Sequence, residues 1–254
     1  MERYNRGWEK LKEIDGEAGE AVIENLKDVA PDLAKYIIEF SFGDIYSRPG
    51  TALQEKEIAV VAALTAMGNA APQLKVHING ALNVGVSPEE LVEVILQMSS
   101  YSGFPSAING INTLKEVLQE KKIVFEPVPE KQGGDRFTQG VKWLSRLDEN
   151  QVEVLKENFR DIAPDFTEFV VCFGYGDIYS RNNLGPKMRQ IATIAALTAM
   201  GTAQPQLAFH IRAGLNVGLT REEITETIIL MIVYAGFPAA INGINAAKEV
   251  FDSL

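Results

Sequence analysis

A single cysteine, Cys172, leaves no partner for an internal disulfide and excludes an intramolecular CxxC redox pair or a multi-cysteine zinc site. Histidine is almost as scarce, with only His77 and His210. The 24 lysines and arginines stand against 34 acidic residues, a net charge of −10. No basic patch interrupts this balance, so nucleic acid is not an expected partner. Long apolar runs are also missing. Thr227 to Ile241 is shorter than the roughly 20 residues of a membrane helix and is interrupted by Gly236-Phe237-Pro238. Its counterpart, Val94 to Ile108, carries Gln97, Ser99 and Ser100, which lipid would penalise, so both segments are expected as buried helices with no membrane partner. The charged start, Met1 to Lys10, lacks the apolar stretch of a signal peptide, and the expected location is the cytoplasm.

What is present is a sequence written twice. Adding 133 to a residue number in the first half finds its equivalent in the second, without a gap. Ala30-Pro31-Asp32 returns as Ala163-Pro164-Asp165, and the six residues Gly43 to Arg48 (GDIYSR) return as Gly176 to Arg181. Ala62 to Gly68 recurs as Ala195 to Gly201, His77-Ile78 as His210-Ile211, and Ala107 to Asn112 as Ala240 to Asn245. Between the copies, Lys122 to Asp135 (KIVFEPVPEKQGGD) has the prolines, glycines and charges of a surface linker. The expected organisation is one unit over residues 1–121, a linker over 122–135 and a second unit over 136–254.

The pattern within each unit is helical: Leu91, Val94, Ile95 and Met98 recur at i, i+3, i+4 and i+7, and strand alternation is absent. Ser87-Pro-Glu-Glu90 and Thr220-Arg-Glu-Glu223 place a hydroxyl N-cap three residues before a glutamate. Asn83 to Gly85 and Asn216 to Gly218 precede them as helix stops. Ile58 to Met67 is apolar nearly all round and reads as a central buried helix behind a polar first turn, Gln54 to Glu57. Tyr101-Ser-Gly-Phe-Pro105 and Tyr234-Ala-Gly-Phe-Pro238 mark helix breaks. The fold class is therefore all-α, with two homologous helical domains.

Few residues can carry chemistry. His77 and His210 lie on an apolar helix face, where a histidine is either a hydrogen-bonded core residue or an active-site imidazole. Neither helix offers a second histidine or cysteine at ligand spacing, so no metal site is expected. Arg48 and Arg181 close the repeated GDIYSR segment. Each can hold a carboxylate bidentately or pair with the neighbouring Asp44 or Asp177. Glu57 is either the partner of a histidine or a solvated first-turn acid favoured by the helix dipole. Cys172, within Phe169-Val-Val-Cys-Phe173, reads as an inert buried thiol.

The run from the apolar helix through His-Ile-x-x-x-Leu-Asn-Val-Gly, Pro/Arg-Glu-Glu and Tyr-x-Gly-Phe-Pro resembles carboxymuconolactone decarboxylase domains, and it does so twice. The resemblance implies the all-helical fold shared with the alkylhydroperoxidase D proteins, whose chemistry resides in a CxxC pair ahead of the histidine. Asn69 to Val76 and Thr202 to Phe209 contain no thiol, so the resemblance points to the decarboxylase branch. It implies a small acidic lactone as substrate and no cofactor, because a conjugated lactone is its own electron sink. His77 and His210 are then the proton donors, with Glu57 assisting, and Arg48 and Arg181 hold carboxylates, with Tyr46 and Tyr179 as further hydrogen-bond donors. Single-domain relatives form rings, from which a trimer of fused pairs is expected. The alternatives are a non-catalytic or ligand-binding member of the fold, or a thiol-dependent peroxidase relative with Cys172 as its one thiol. Glu57 in the first unit against Gln190 in the second predicts unequal sites with the first dominant, unless Lys56 and Arg189 reverse the order.

Overall fold

The computed structural model describes residues 2–127 and 133–254, so part of the linker, residues 128–132, lies outside the described residues. Among the described residues every regular element is helical. The first half runs α1 (Glu2–Ile14), α2 (Gly16–Leu26), α3 (Pro31–Tyr36) continuing as a π-helical segment (Ile37–Tyr46), α4 (Leu53–Met67), α5 (Ala71–Asn83), α6 (Pro88–Met98) and α7 (Phe104–Glu120). The second half repeats this as α8 (Arg136–Leu147), α9 (Gln151–Phe159), α10 (Phe166–Phe169) with its π-helical segment (Val170–Tyr179), α11 (Pro186–Met200), α12 (Gln204–Asn216) and α13 (Arg221–Asp252).

The boundaries follow from local chemistry. Ser87 Oγ accepts from the Glu90 N–H at 3.2 Å while Glu90 Oε2 accepts from the Ser87 N–H at 2.8 Å. Thr220 and Glu223 make the same reciprocal pair at 3.0 and 2.6 Å. At the break, Gly103 (φ 86°) and Gly236 (φ 84°) adopt a backbone that other residues rarely reach, and the following proline starts a new helix. Arg221–Asp252 has the length and apolarity to cross a bilayer if taken as one run, but it bends at Gly236 and buries Ile228, Leu230, Met231 and Ala240 against the protein.

The two halves share one core. α4 and α11 lie along each other at its centre, and Ile58 to Ala63 and Ile191 to Ala196 are at most 1% exposed. Each fully buried Val, Leu or Ile contributes about 1.5–3 kcal/mol, and truncating Ile58 or Ile191 to alanine is expected to destabilise by about 2–5 kcal/mol. Burial extends into the polar first turn of α4: Lys56 and Glu57 are inside, and Glu57 is therefore not the solvated acid that its position suggested.

In the π-helical segments the backbone bonds span five residues, as in Ser47 N–H to Phe42 O at 3.2 Å and Ser180 N–H to Tyr175 O at 3.1 Å. Such wide turns often mark functional sites. α1 presses on the first of them backbone to backbone, since a Cβ on Gly7 would sit 1.9 Å from Ile38 O. Gly140 on α8 makes the same approach to Val171 O, at 2.1 Å. These contacts fix where Tyr46 and Tyr179 enter the interior.

Candidate active site

Each half contributes three helices to one polar cluster and borrows a fourth group from the other half. In the first cluster, His77 on α5 places Nδ1 3.0 Å from Glu57 Oε2 on α4, and Tyr46 donates to Glu57 Oε1 at 2.9 Å. The ring of contacts is closed by Tyr234, from α13 of the second half. Its hydroxyl lies 3.0 Å from His77 Nε2 and 2.6 Å from the Tyr46 hydroxyl. Glu57, Tyr46, Tyr234 and His77 thus form an unbroken hydrogen-bonded circuit, along which a proton on His77 Nε2 can pass through two hydroxyls to the carboxylate. Asp15, at the junction of α1 and α2, stands beside it with Oδ1 4.0 Å from His77 Nδ1.

The second cluster has the same shape without the charge. His210 Nδ1 lies 2.9 Å from Gln190 Oε1, which accepts its proton, so Nε2 is left as an acceptor for Tyr101 at 3.2 Å. Tyr101 comes from the first half and also meets the Tyr179 hydroxyl at 2.8 Å, which in turn reaches Thr193 Oγ1 at 3.0 Å. A cavity of about 330 Å³ opens beside this cluster, lined by Tyr101, Phe104, Phe169, Phe173, Tyr175 and Tyr179 among others.

The electrostatics separate the two histidines. Burial alone pulls the His77 imidazole down, but the Glu57 and Asp15 carboxylates outweigh it and hold His77 above its ordinary value. Burial pushes the Asp15 carboxyl up to about 7; His77 opposes this and Glu57 adds to it. Burial also pushes the Tyr46 and Tyr234 hydroxyls well above the usual tyrosine range, with the Glu57 charge next, so both stay protonated donors. Nothing compensates burial at His210, which falls to about 3 and is a neutral imidazole at any ordinary pH.

The arginines take other partners than their sequence neighbours. Arg48 grips Glu226 of α13 bidentately at 2.7 and 2.6 Å, and Arg181 grips Glu93 of α6 at 2.8 and 3.0 Å, each across the two halves. Asp44 and Asp177 pair instead with Arg3 and Arg136. The guanidinium faces proposed for a substrate carboxylate are therefore engaged within the chain. Glu226 shares α13 with Tyr234, so the Arg48 pair anchors the helix that delivers the borrowed hydroxyl. Arg189 is wholly buried on Glu93 and Gln97, and Lys56 donates to the Tyr46 and Arg48 carbonyls. Cys172 is half-buried and not fully buried as its apolar run suggested, because Val171 and not Cys172 points into the core; desolvation still raises its thiol, which makes it a weak nucleophile.

His77, Glu57 and Tyr46 meet in one cluster, and His210 meets Tyr179 through Tyr101. Sequence reasoning missed Tyr101, Tyr234 and Asp15 as site residues. The repeated Tyr-x-Gly-Phe-Pro motif did flag the tyrosines, but as helix breaks.

Comparison with known proteins agrees with this architecture. The profile of the carboxymuconolactone decarboxylase family matches residues 31–116 and again 164–249. A 4-carboxymuconolactone decarboxylase from Acinetobacter baylyi is 37% identical over 120 residues, 47% of this chain and 89% of that protein, so the relative corresponds to one half. A nitrosuccinic acid decarboxylase from Metarhizium robertsii is 26% identical over 122 residues, 46% of this chain and 82% of that protein. The crystal structure of a Burkholderia xenovorans LB400 protein, described as a candidate gamma-carboxymuconolactone decarboxylase subunit, superposes with a TM-score of 0.62 over 99% of this chain and 98% of that one. At 23% identity this last likeness speaks for the fold. The chain belongs to the carboxymuconolactone decarboxylase family and carries two copies of its helical unit.

Proposed function

We propose that the chain is a cofactor-independent decarboxylase of a small carboxylated lactone, and that its first cluster performs the proton transfer. The observation that carries this reading is the closed circuit of His77, Glu57, Tyr46 and Tyr234, which combines a chargeable imidazole with two hydroxyl donors in a buried setting. In the reaction the carbon–carbon bond to the leaving carboxylate breaks, and carbon dioxide departs. The electron pair enters the conjugated lactone carbonyl. A hydroxyl of the Tyr46/Tyr234 pair stabilises the resulting oxyanion, and His77 gives its proton to carbon; the one proton consumed per turnover is regained from water, with Glu57 favouring the recharged imidazole. Positioned acid–base groups of this kind contribute about 10²- to 10⁴-fold.

The substrate class rests on the relatives. Carboxymuconolactone and nitrosuccinic acid, named for two of them, share a carboxylate beside an electron-withdrawing group, which is the requirement of a decarboxylation without a cofactor. A second reading, a ligand-binding role, is favoured for the second cluster alone, because His210 is neutral and the cavity beside it is lined mostly by aromatic rings, with Ser99 and Ser100 at their side.

The test is to incubate the purified protein with carboxymuconolactone and with nitrosuccinate and follow carbon dioxide release. Release that exceeds the spontaneous rate and is lost in His77→Ala supports the proposal. No release with either substrate from a folded protein, or full release from His77→Ala, contradicts it.

A further inference from the structure

Beside the proton circuit, the first half holds a group of donors that the circuit does not use fully. We propose that Asp15, Glu57 and His77 form a binding site for one divalent first-row transition ion, such as Zn²⁺, present in the first half only. The donor atoms all lie within 4.8 Å of one another. His77 Nδ1 is 3.0 Å from Glu57 Oε2 and 4.0 Å from Asp15 Oδ1. Zinc bonds to carboxylate oxygen and imidazole nitrogen measure about 2.0–2.2 Å, which sets tetrahedral donors roughly 3.3 Å apart, so the cluster needs to close by about an ångström. Carboxylate and imidazole together suit such ions, and three protein donors leave a position open.

Two further observations point into the same space. Asp15 is 4% exposed, yet its Oδ1 has no hydrogen-bond partner, an expensive state for a buried carboxylate oxygen. Gly80 keeps the gap between the carboxylates clear: a Cβ there would lie 2.8 Å from Asp15 Oδ1 and 3.1 Å from Glu57 Oε2. A doubly charged ion in that gap would neutralise two buried carboxylates. The second shell is in place, since His77 Nε2 contacts the Tyr234 hydroxyl and Glu57 Oε1 accepts from Tyr46. A cleft of about 570 Å³ reaches Asp15, the outermost of the three donors, and is bordered also by Glu17, Lys75, Asn79 and Glu120.

The second half is the internal control. Asp148 is only half-buried and accepts from the Asn150 N–H at 2.9 Å, Gln190 supplies an amide, and Ala213 carries the Cβ that Gly80 lacks. The histidine is kept there as His210, but the second carboxylate, the open gap and the buried, unpartnered state of the aspartate are all lost.

A bound ion would take the place of the hydrogen bond between Glu57 and His77, so it would inhibit the decarboxylation; this consequence alone rests on the function proposed above. The binding itself is tested without substrate. Full-length protein stripped with a chelator is titrated with Zn²⁺ by calorimetry and with Co²⁺ while visible ligand-field bands are recorded. The expected result is one equivalent per chain, with affinity lowered about tenfold or more by Asp15→Asn and by Gly80→Ala, and unchanged by His210→Ala. Circular dichroism checks that each variant is folded, and Asp15→Asn, nearly isosteric, decides if Gly80→Ala is not. Absence of saturable binding up to about 100 μM, or binding that Asp15→Asn leaves intact, overturns the proposal and assigns the gap to a proton or water.

Discussion

The two halves of this chain have the same helices, the same capping pairs and the same break before Phe-Pro, yet they surround their histidines with different chemistry. Glu57 is replaced by Gln190 in the second half, Gly80 by Ala213, and Val60 by Thr193, whose hydroxyl engages Tyr179. The first histidine gains a carboxylate and is held above its ordinary pKa, whereas the second meets an amide and falls to about 3. An amide-to-carboxylate exchange in a dry interior, with the buried Asp15 beside it, outweighs an otherwise shared backbone, because burial magnifies the effect of a nearby charge. Neither half can be lifted out, since Tyr234 completes the first cluster and Tyr101 the second.

The largest effect expected from this comparison is on turnover. His77→Ala should lower carbon dioxide release by about 10²-fold or more, and His210→Ala by much less. Steady-state assays of both variants with the same substrate check this; equal losses would erase the distinction between the halves.

Acid stability is the next discriminator. His210 binds its proton near pH 3 when folded and near 6.5 when unfolded, so above 6.5 it is neutral in both states and contributes no pH dependence. As pH falls below that value the unfolded state gains the proton first, and stability drops by about 1.4 kcal/mol per pH unit. His77, with its raised pKa, acts in the opposite sense: its stabilisation is fully present below the unfolded value and is lost as pH rises through the folded one. Urea titrations between pH 4 and 7 should therefore show a shallower acid loss in His210→Gln than in the native protein. An identical slope would contradict the neutral assignment.

A smaller change is expected at the borrowed hydroxyls. Tyr234→Phe opens the first circuit and should reduce turnover about tenfold, the worth of one buried hydrogen bond of about 1.4 kcal/mol, while Tyr101→Phe should leave it nearly unchanged. Parallel kinetics would show the reverse ranking if catalysis belongs to the second half.

Oligomerisation is where the halves should behave alike. The exposed apolar residues recur in register: Leu33 with Phe166, Tyr36 with Phe169, Phe104 with Phe237 and Ile108 with Ile241. Surfaces duplicated in this way suit a closed ring, and we infer a trimer of chains offering six equivalent faces. Light scattering should report three chains per particle, with Phe104→Ser and Phe237→Ser weakening association to similar extents. A strict monomer at micromolar concentration would remove the inference.

Much of the fold is legible in the sequence because repetition does the work of an alignment: the caps at Ser87 and Thr220, the stops at Gly85 and Gly218 and the buried helix from Ile58 all lie where the pattern puts them. The clusters are legible only in part. His77 and Glu57 belong to adjacent helices, within reach of local reasoning. Asp15 arrives from a helix junction 62 residues before His77, and Tyr234 from 157 residues after it. Their approach depends on how the halves pack, which periodicity does not encode. The arginines show the same limit, because Asp44 and Asp177 are near in sequence but Glu226 and Glu93 are near in space.

The divergence of the two sites is tested most directly by following the two imidazoles by NMR across pH 3.5 to 9, since a chain with only His77 and His210 gives two assignable ring signals. The His77 signal is expected to titrate above the ordinary value of about 6.5, the His210 signal to stay neutral down to the acid end of the range, and Gln190→Glu to move His210 upward toward its partner. Two imidazoles titrating together near 6.5, or a His210 that becomes charged before His77, would contradict this divergence.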